Sequence, residues 1–422
     1  MRRFVTIVVG LAIILAAGSV PAEAHTSPAL RSLRTALRQG MRQIGGASSA
    51  YVVDLNTGQA LFSDNAGAWR LPASVQKIYT TTTVLLRFGP TARLTTSVFG
   101  RGSKDSHGVW HGTLYLRGGG DPTFGWASFD HSAYGNTGTT VQTLVSNLIH
   151  QAGITGVKGS IVGDESYFDS LRSTAESHYR PDIYMEGELS GLAFDRDFAN
   201  YSGTEYQPHP ALTAARQFAA AFRDAGVSVP ANTRIATGKT PADAQPLSLV
   251  RSPTIATLLR LTNTPSDNFM AEMLLKGLGA KFGKGGTTAD GVRVVHSELS
   301  SRFGLDPRFD DGSGLSYKDA TTARQVVSLL KTMSHHDVFV NSLAVGGETG
   351  TLEYEMQGSG VRGRCRGKTG TLHSVANLSG YCRARDGHTL VFAFLANRVS
   401  NPDYVHAIEG DHMAEALIRY NG

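Results

Sequence analysis

The clearest strand patterns in this chain of 422 residues lie at its two ends, and no other feature constrains the fold as much. Near the start, Ala50-Tyr51-Val52-Val53-Asp54, the turn Leu55-Asn56-Thr57-Gly58 and Gln59-Ala60-Leu61-Phe62 read as strand, turn, strand. Near the finish, Val361 to Thr371, Val375 to Cys382 and, past the turn Asp386-Gly387, Thr389 to Asn397 read as three more. The five are expected to form one antiparallel sheet joined across a helical region. Ser27 to Ile44 repeats Leu30, Leu33, Leu37, Met41 and Ile44 at helical spacing, and Val405 to Tyr420 closes the chain as a last helix. Helical texture also fills Ile255 to Leu278 and Thr321 to Met333.

Residues 92–247 differ in texture. Short strands such as Arg93 to Phe99 and Gly112 to Arg117 alternate with Gly, Asp and Ser, interrupted by helices at Val141 to Ala152 and Thr213 to Ala225. This reads as an insertion that leaves the scaffold soon after residue 91 and returns at 248. Its pattern is α+β and lacks the regular β-α-β alternation of a doubly wound sheet. Gly118-Gly119-Gly120-Asp121-Pro122 lacks the spacing of a dinucleotide loop, and Gly238-Lys239-Thr240 lacks the upstream glycine of a phosphate loop.

Composition excludes some functions. Hydrophobic residues make up 41% and charged residues 18%, as in a folded soluble protein of two or three domains. A formal charge of +5, scattered along the chain, gives no basis for nucleic-acid binding. Arg2-Arg3, the apolar run Phe4 to Ala17 and Ala22-Glu23-Ala24 form the three parts of a secretory signal over residues 1–24, cleaved after Ala24. Export to the periplasm, wall or exterior is therefore expected. The two cysteines, Cys365 and Cys382, would face each other across a hairpin turning at His373-Ser374, so a cross-strand disulfide is expected, with a free pair as the alternative. The 14 histidines show no metal-ligand spacing, and neither a metal nor a cofactor is expected.

Ser74-Val75-Gln76-Lys77 puts a hydroxyl and an amine three residues apart at a helix start, with Pro72 just ahead and apolar residues from Ile78 to Leu86 to bury. Positions i and i+3 share a helix face, so a nucleophile can meet its base there. The pattern alone is cheap, since Ser328-Leu329-Leu330-Lys331 repeats it. Its company distinguishes it: Ser266-Asp267-Asn268 follows, then Lys368-Thr369-Gly370-Thr371 on a strand. Burial and a nearby Lys368 charge would hold Lys77 neutral. Ser266 would relay a proton to the leaving amine, while Asn268 would hold Lys77 and donate to a substrate carbonyl. Lys368 and Thr369 would bind a carboxylate, and Gly370 would let substrate lie against the strand. The N–H groups of Ser74 and Thr371 would form an oxyanion hole.

These three motifs, in this order, are the set used by β-lactamases and penicillin-binding proteins. The chain resembles the D-alanyl-D-alanine carboxypeptidase/endopeptidase family of low-molecular-mass penicillin-binding proteins with a long insertion between the first two motifs. The likeness is carried further by Leu114 to Pro122, Ser266-Asp267-Asn268-Phe269-Met270-Ala271-Glu272, Asp311-Gly312-Ser313-Gly314-Leu315-Ser316 and Gly350-Thr351-Leu352. The resemblance implies a transpeptidase-like α+β fold, with a catalytic domain formed by 25–91 and 248–422 and an inserted domain at 92–247. It implies cleavage of D-Ala-D-Ala or cross-linked stem peptides of peptidoglycan through an acyl-enzyme at Ser74, and covalent capture by β-lactam antibiotics. It leaves a homodimer open. Asp164, in Gly163-Asp164-Glu165-Ser166-Tyr167-Phe168, best matches the acidic residue with which that family binds the amino group of diaminopimelate; the other reading is a turn aspartate capping a loop. A β-lactamase and a catalytically silent wall-binding module are the alternatives. Against the first, the chain lacks, between the second and third motifs, the Glu-x-x-Leu-Asn run with which class A β-lactamases activate deacylating water; against the second stand the intact motifs.

Overall fold

The computed structural model describes residues 27–422, so the expected signal segment lies outside the described residues. Helix α1 (Pro28–Ile44) starts at Ser27, whose hydroxyl accepts the Leu30 N–H, and buries the five expected apolar residues. Strands β1 (Ala47–Asp54) and β2 (Ala60–Asp64) follow, joined by a turn in which the Asp54 carboxylate accepts the N–H groups of Asn56 and Thr57. A single 3-10 turn, Ala73–Gln76, then leads into α2 (Lys77–Phe88).

The next stretch carries β3 (Thr95–Lys104), β4 (Val109–Gly118), β5 (Phe124–Gly125), α3 (Ala127–Tyr134), β6 (Thr139–Thr140), α4 (Val141–Ala152) and β7 (Gly156–Asp164). After a long irregular segment come α5 (Pro210–Asp224), β8 (Arg234–Thr237) and β9 (Gln245–Arg251). Helices α6 (Ile255–Asn263), α7 (Asn268–Phe282), α8 (Thr288–Phe303), α9 (Ala323–Met333) and α10 (Asp337–Ser342) form the helical region. The chain ends with β10 (Ala344–Val345), β11 (Cys365–Leu372), β12 (Val375–Arg383), β13 (Thr389–Asn397), α11 (Pro402–Ala407), a π-helical turn (Ile408–Ala414) and α12 (Glu415–Arg419).

The main sheet has the order β10-β11-β12-β13-β1-β2 and is antiparallel throughout. It has six strands where the sequence indicated five. The extra one, β10, is two residues long, too short to leave an alternating pattern. Residues 361–364 precede β11 as turns, so that strand starts at Cys365 and not at Val361. Strand β13 is covered on both faces. Leu390, Phe392, Phe394 and Ala396 meet α1 and the C-terminal helices, while Val391, Ala393 and Leu395 meet the α2, α6, α7 and α9 layer. Cys365 lies opposite Cys382 in the β11–β12 ladder and is joined to it by a disulfide, with the turn at His373-Ser374 as expected.

A second sheet has the order β8-β7-β4-β3-β9. Its β4–β7 and β7–β8 ladders are parallel and the others antiparallel. The two parallel ladders arise because α4 and α5 lie in the crossovers, where they cover the buried face of the sheet. Strand β9 runs across the boundary expected at 247/248 and ends before Ser252-Pro253. The two connections to the main sheet pass side by side: Leu94 and Ser252 exchange hydrogen bonds, and Ile255 N–H donates to the Ala92 carbonyl.

Candidate active site

The Ser74 turn is fixed by the sheet beneath it. Asn377 on β12 donates to the carbonyls of Leu71 and Pro72, and Asn397 on β13 accepts the Leu71 N–H. Ala73 sits at φ 45°, a left-handed conformation unusual for a residue with a side chain. Two glycines make room for it. A Cβ on Gly314 would stand 1.9 Å from the Ala73 carbonyl oxygen, and one on Gly370 would stand 2.5 Å from that of Pro72 and 3.2 Å from the Ser74 nitrogen. The strand β11 therefore lies directly against the Ser74 turn because Gly370 has no side chain.

Lys77 is the first residue of α2 and is fully buried. Its Nζ donates to Ser74 Oγ at 2.8 Å, to Asn268 Oδ1 at 2.5 Å and to the Ser313 carbonyl at 2.8 Å. Burial pulls its pKa down to about 8, opposed by Asp311, Asp267, Glu272 and Glu186. Lys368, also buried, is held well below the usual lysine range by burial and then by the charge of Lys77. Its Nζ donates to the Thr369 carbonyl at 2.9 Å, and the Thr369 hydroxyl donates to Thr351 Oγ1 at 2.8 Å. The Thr371 hydroxyl lies 2.7 Å from His406 Nε2.

Ser266 occupies a left-handed turn, φ 69°, immediately before α7. Asp267 caps that helix through the Met270 N–H and pairs with Arg196, a largely covered residue of the irregular segment after β7. Arg196 also donates to the Tyr134 hydroxyl and the Glu186 carbonyl, and its guanidinium lies over the Phe269 and Tyr134 rings. The Asn268 amide donates to the Tyr184 carbonyl at 2.7 Å. The segment after β7 thus reaches the second motif directly.

Under Lys77, Glu272 accepts the N–H groups of Gly312 and Ser313, and Asp311 accepts those of Gly314 and Ser316. These two carboxylates fold the 311–316 loop so that the Ser313 carbonyl points at the amine. Burial, with Asp311 adding to it, pushes Glu272 up to about 7.

The structure therefore brings Ser74, Lys77 and Asn268 into one hydrogen-bonded group and sets Lys368, Gly370 and the strand beside it. Asp164, for which the sequence left two readings open, is not part of that hydrogen-bonded group. It ends β7, is 1% exposed, and its oxygens accept the N–H groups of Ser166 and Thr240. Burial raises its pKa, but those hydrogen bonds outweigh it and hold the carboxyl below the usual range. A carboxylate with both oxygens turned inward caps a loop, the other reading of the motif. Sequence reasoning passed over Arg196, Glu272 and His406, none of which sits in a chemical motif of its own. Among the described residues no group of acids, histidines and cysteines is arranged to hold a metal ion.

Comparison with known proteins places the chain in a family. The family model described as D-Ala-D-Ala carboxypeptidase 3 (S13) family matches residues 29–188 and 199–417. The chain belongs to that family. A D-alanyl-D-alanine carboxypeptidase of an Actinomadura species is 27% identical, the alignment covering 96% of this chain and 88% of that one. Carboxypeptidase DacB of Mycolicibacterium smegmatis is also 27% identical, over 90% of this chain and 83% of that one. Among solved structures, penicillin binding protein 4 of Haemophilus influenzae superposes with a TM-score of 0.71 at 18% identity, covering 86% of this chain and 94% of its own. A predatory endopeptidase of Bdellovibrio bacteriovorus in complex with an immunity protein gives 0.56 at 16% identity, over 88% and 93%. These structural matches share the fold, a mixed α and β architecture around an antiparallel sheet.

Proposed function

We propose that this protein is an exported serine D,D-peptidase that cleaves the D-Ala-D-Ala terminus or the cross-link of peptidoglycan stem peptides through an acyl-enzyme at Ser74. The observation that carries the reading is the 2.8 Å contact between Ser74 Oγ and the buried Nζ of Lys77, an amine that burial brings down to about 8. Ser74 Oγ attacks the peptide carbonyl while its proton passes to neutral Lys77, giving a tetrahedral oxyanion. The N–H groups of Ser74 and Thr371 receive that charge, each donor worth about 3 kcal/mol. The C–N bond then breaks, the leaving amine takes a proton relayed through Ser266, and water hydrolyses the ester to restore Ser74. Asn268 fixes Lys77 from the other side and exchanges its Tyr184 contact for a substrate carbonyl.

Membership of the family supports the substrate class, and the names of the Actinomadura and Mycolicibacterium relatives support the carboxypeptidase activity. Export through the segment ending at Ala24 fits the disulfide, which persists in oxidising compartments. Labelled penicillin tests the mechanism: lasting label on the wild type and none on Ser74→Ala is expected, whereas rapid turnover would indicate a β-lactamase and no label a binding module. Mass analysis of digested muropeptides tests the substrate. If neither free D-alanine nor opened cross-links form, the peptidase reading fails.

A further inference from the structure

The Lys368-Thr369-Gly370-Thr371 run offers fewer outward donors than its residue types suggest. Lys368 spends a proton on the Thr369 carbonyl and the Thr369 hydroxyl donates to Thr351, whereas Thr371 is exposed. Behind Thr371 stands a group that no motif announces. His406 Nε2 lies 2.7 Å from Thr371 Oγ1, and its Nδ1 faces Glu409 Oε2 at 3.4 Å. Glu409 is fully buried, and neither of its oxygens forms a hydrogen bond within the described residues. The backbone widens into the π-helical turn Ile408–Ala414 at this point, a distortion that concentrates at functional sites.

We propose that His406 is a positioning residue whose Nε2–H donates to Thr371 Oγ1 and so turns the threonine proton outward, toward the carboxylate of the substrate, with Glu409 orienting the ring from behind. This rests on the peptidase reading above. A free hydroxyl rotates between giving its proton to the ring and giving it to a ligand. A ring that donates removes the first choice.

The surroundings select that tautomer. Burial brings His406 down to about 4, with Asp403 on its own helix opposing and Lys368 on β11 reinforcing, so the ring is neutral and carries one N–H. Burial, with Glu355 adding to it, pushes Glu409 well above the usual range, and burial and then Asp411 raise Glu355 in turn. An N–H on Nδ1 would be buried without a hydrogen-bond acceptor, whereas one on Nε2 meets Thr371 Oγ1 at 2.7 Å, so the single ring proton belongs on Nε2.

The test compares acylation by a penicillin bearing its free carboxylate with acylation by its methyl ester, read by mass spectrometry of the intact protein. His406→Leu is expected to slow the carboxylate form about tenfold more than the ester, mainly through weaker initial binding, the loss typical of one charge-assisted hydrogen bond. His406→Gln, which keeps a donor, restores most of that difference. In a Thr371→Val background His406→Leu adds little, because the two act as one unit. Equal slowing of both forms, or a full His406→Leu effect without the Thr371 hydroxyl, overturns the proposal and leaves the peptidase reading standing. A wild type acylated by neither form overturns both.

Discussion

At the scale of single residues, the proposed chemistry depends on how easily one lysine gives up its proton. Lys77 loses hydration on burial, and the acids around it return only part of that loss, which leaves it near 8. At pH 7 only about a tenth of such a group is neutral, so penicillin acylation is expected to rise roughly tenfold between pH 7 and pH 9. The sign follows from the lysine acting as base: it works when deprotonated and is lost as pH falls through 8. A flat profile across that range would remove Lys77 from the role. Asn268→Asp puts a carboxylate where Oδ1 now sits, 2.5 Å from Nζ, and should move the midpoint up by about 1–3 units. Lys77→Met should cost on the order of 100- to 10,000-fold in acylation rate while leaving the circular dichroism of the fold in place.

Elements decide how closely the catalytic pieces approach. Strand β11 can lie this close to the Ser74 turn only with glycine at 370, since a methyl there would stand 2.5 Å from the Pro72 carbonyl oxygen and force the backbone to shift. Gly370→Ala is expected to displace the turn and lower acylation at least tenfold by misplacing the nucleophile about 1 Å, visible as lost acylation in a protein that still melts cooperatively. The same strand is tied to β12 by Cys365 and Cys382 over a separation of 17 residues. Replacing both cysteines by alanine should lower unfolding free energy by about 2–3 kcal/mol in urea titration, the entropy of a closed loop of that size. A change below about 0.5 kcal/mol would show that the hairpin is already held by its ladder.

For the whole molecule, the segment after β7 is fastened to α7 by the Arg196–Asp267 pair together with the Asn268–Tyr184 and Lys276–Asp169 contacts. Arg196 reaches from that segment to Asp267, the cap of the helix that carries Asn268. Removing Asp267 leaves a buried guanidinium without its partner, so Asp267→Ala should destabilise by about 3–5 kcal/mol. Arg196→Met, which removes the charge, should cost less in thermal melting and is the control that separates loss of the pair from loss of the cap. The chain ends are fastened in a similar way. A Cβ on Gly40 in α1 would meet Met413 at 2.5 Å, so the first helix and the C-terminal turn pack in direct contact.

The sequence determined the local features, because period and turn chemistry are local. The alternation in β13, the helical spacing of α1, the turn at His373-Ser374 and the three motif stretches could all be read from residues within a few positions of each other. The cysteine pairing was legible too, because register in a hairpin follows from its turn. Only the tertiary structure decided what spans hundreds of positions. The two-residue β10 has no period to show, and the parallel ladders of the second sheet depend on which strands become neighbours. The sequence left two readings of Asp164 open, because a Gly-Asp turn looks the same whether its carboxylate faces a ligand or two backbone N–H groups; in the fold it accepts the N–H groups of Ser166 and Thr240. Arg196, Glu272 and His406 gain their roles from residues far along the chain, at Asp267, the 311–316 loop and Thr371. Burial and electrostatic neighbours, which set the state of Lys77, exist only after the two ends of the chain have closed into one sheet.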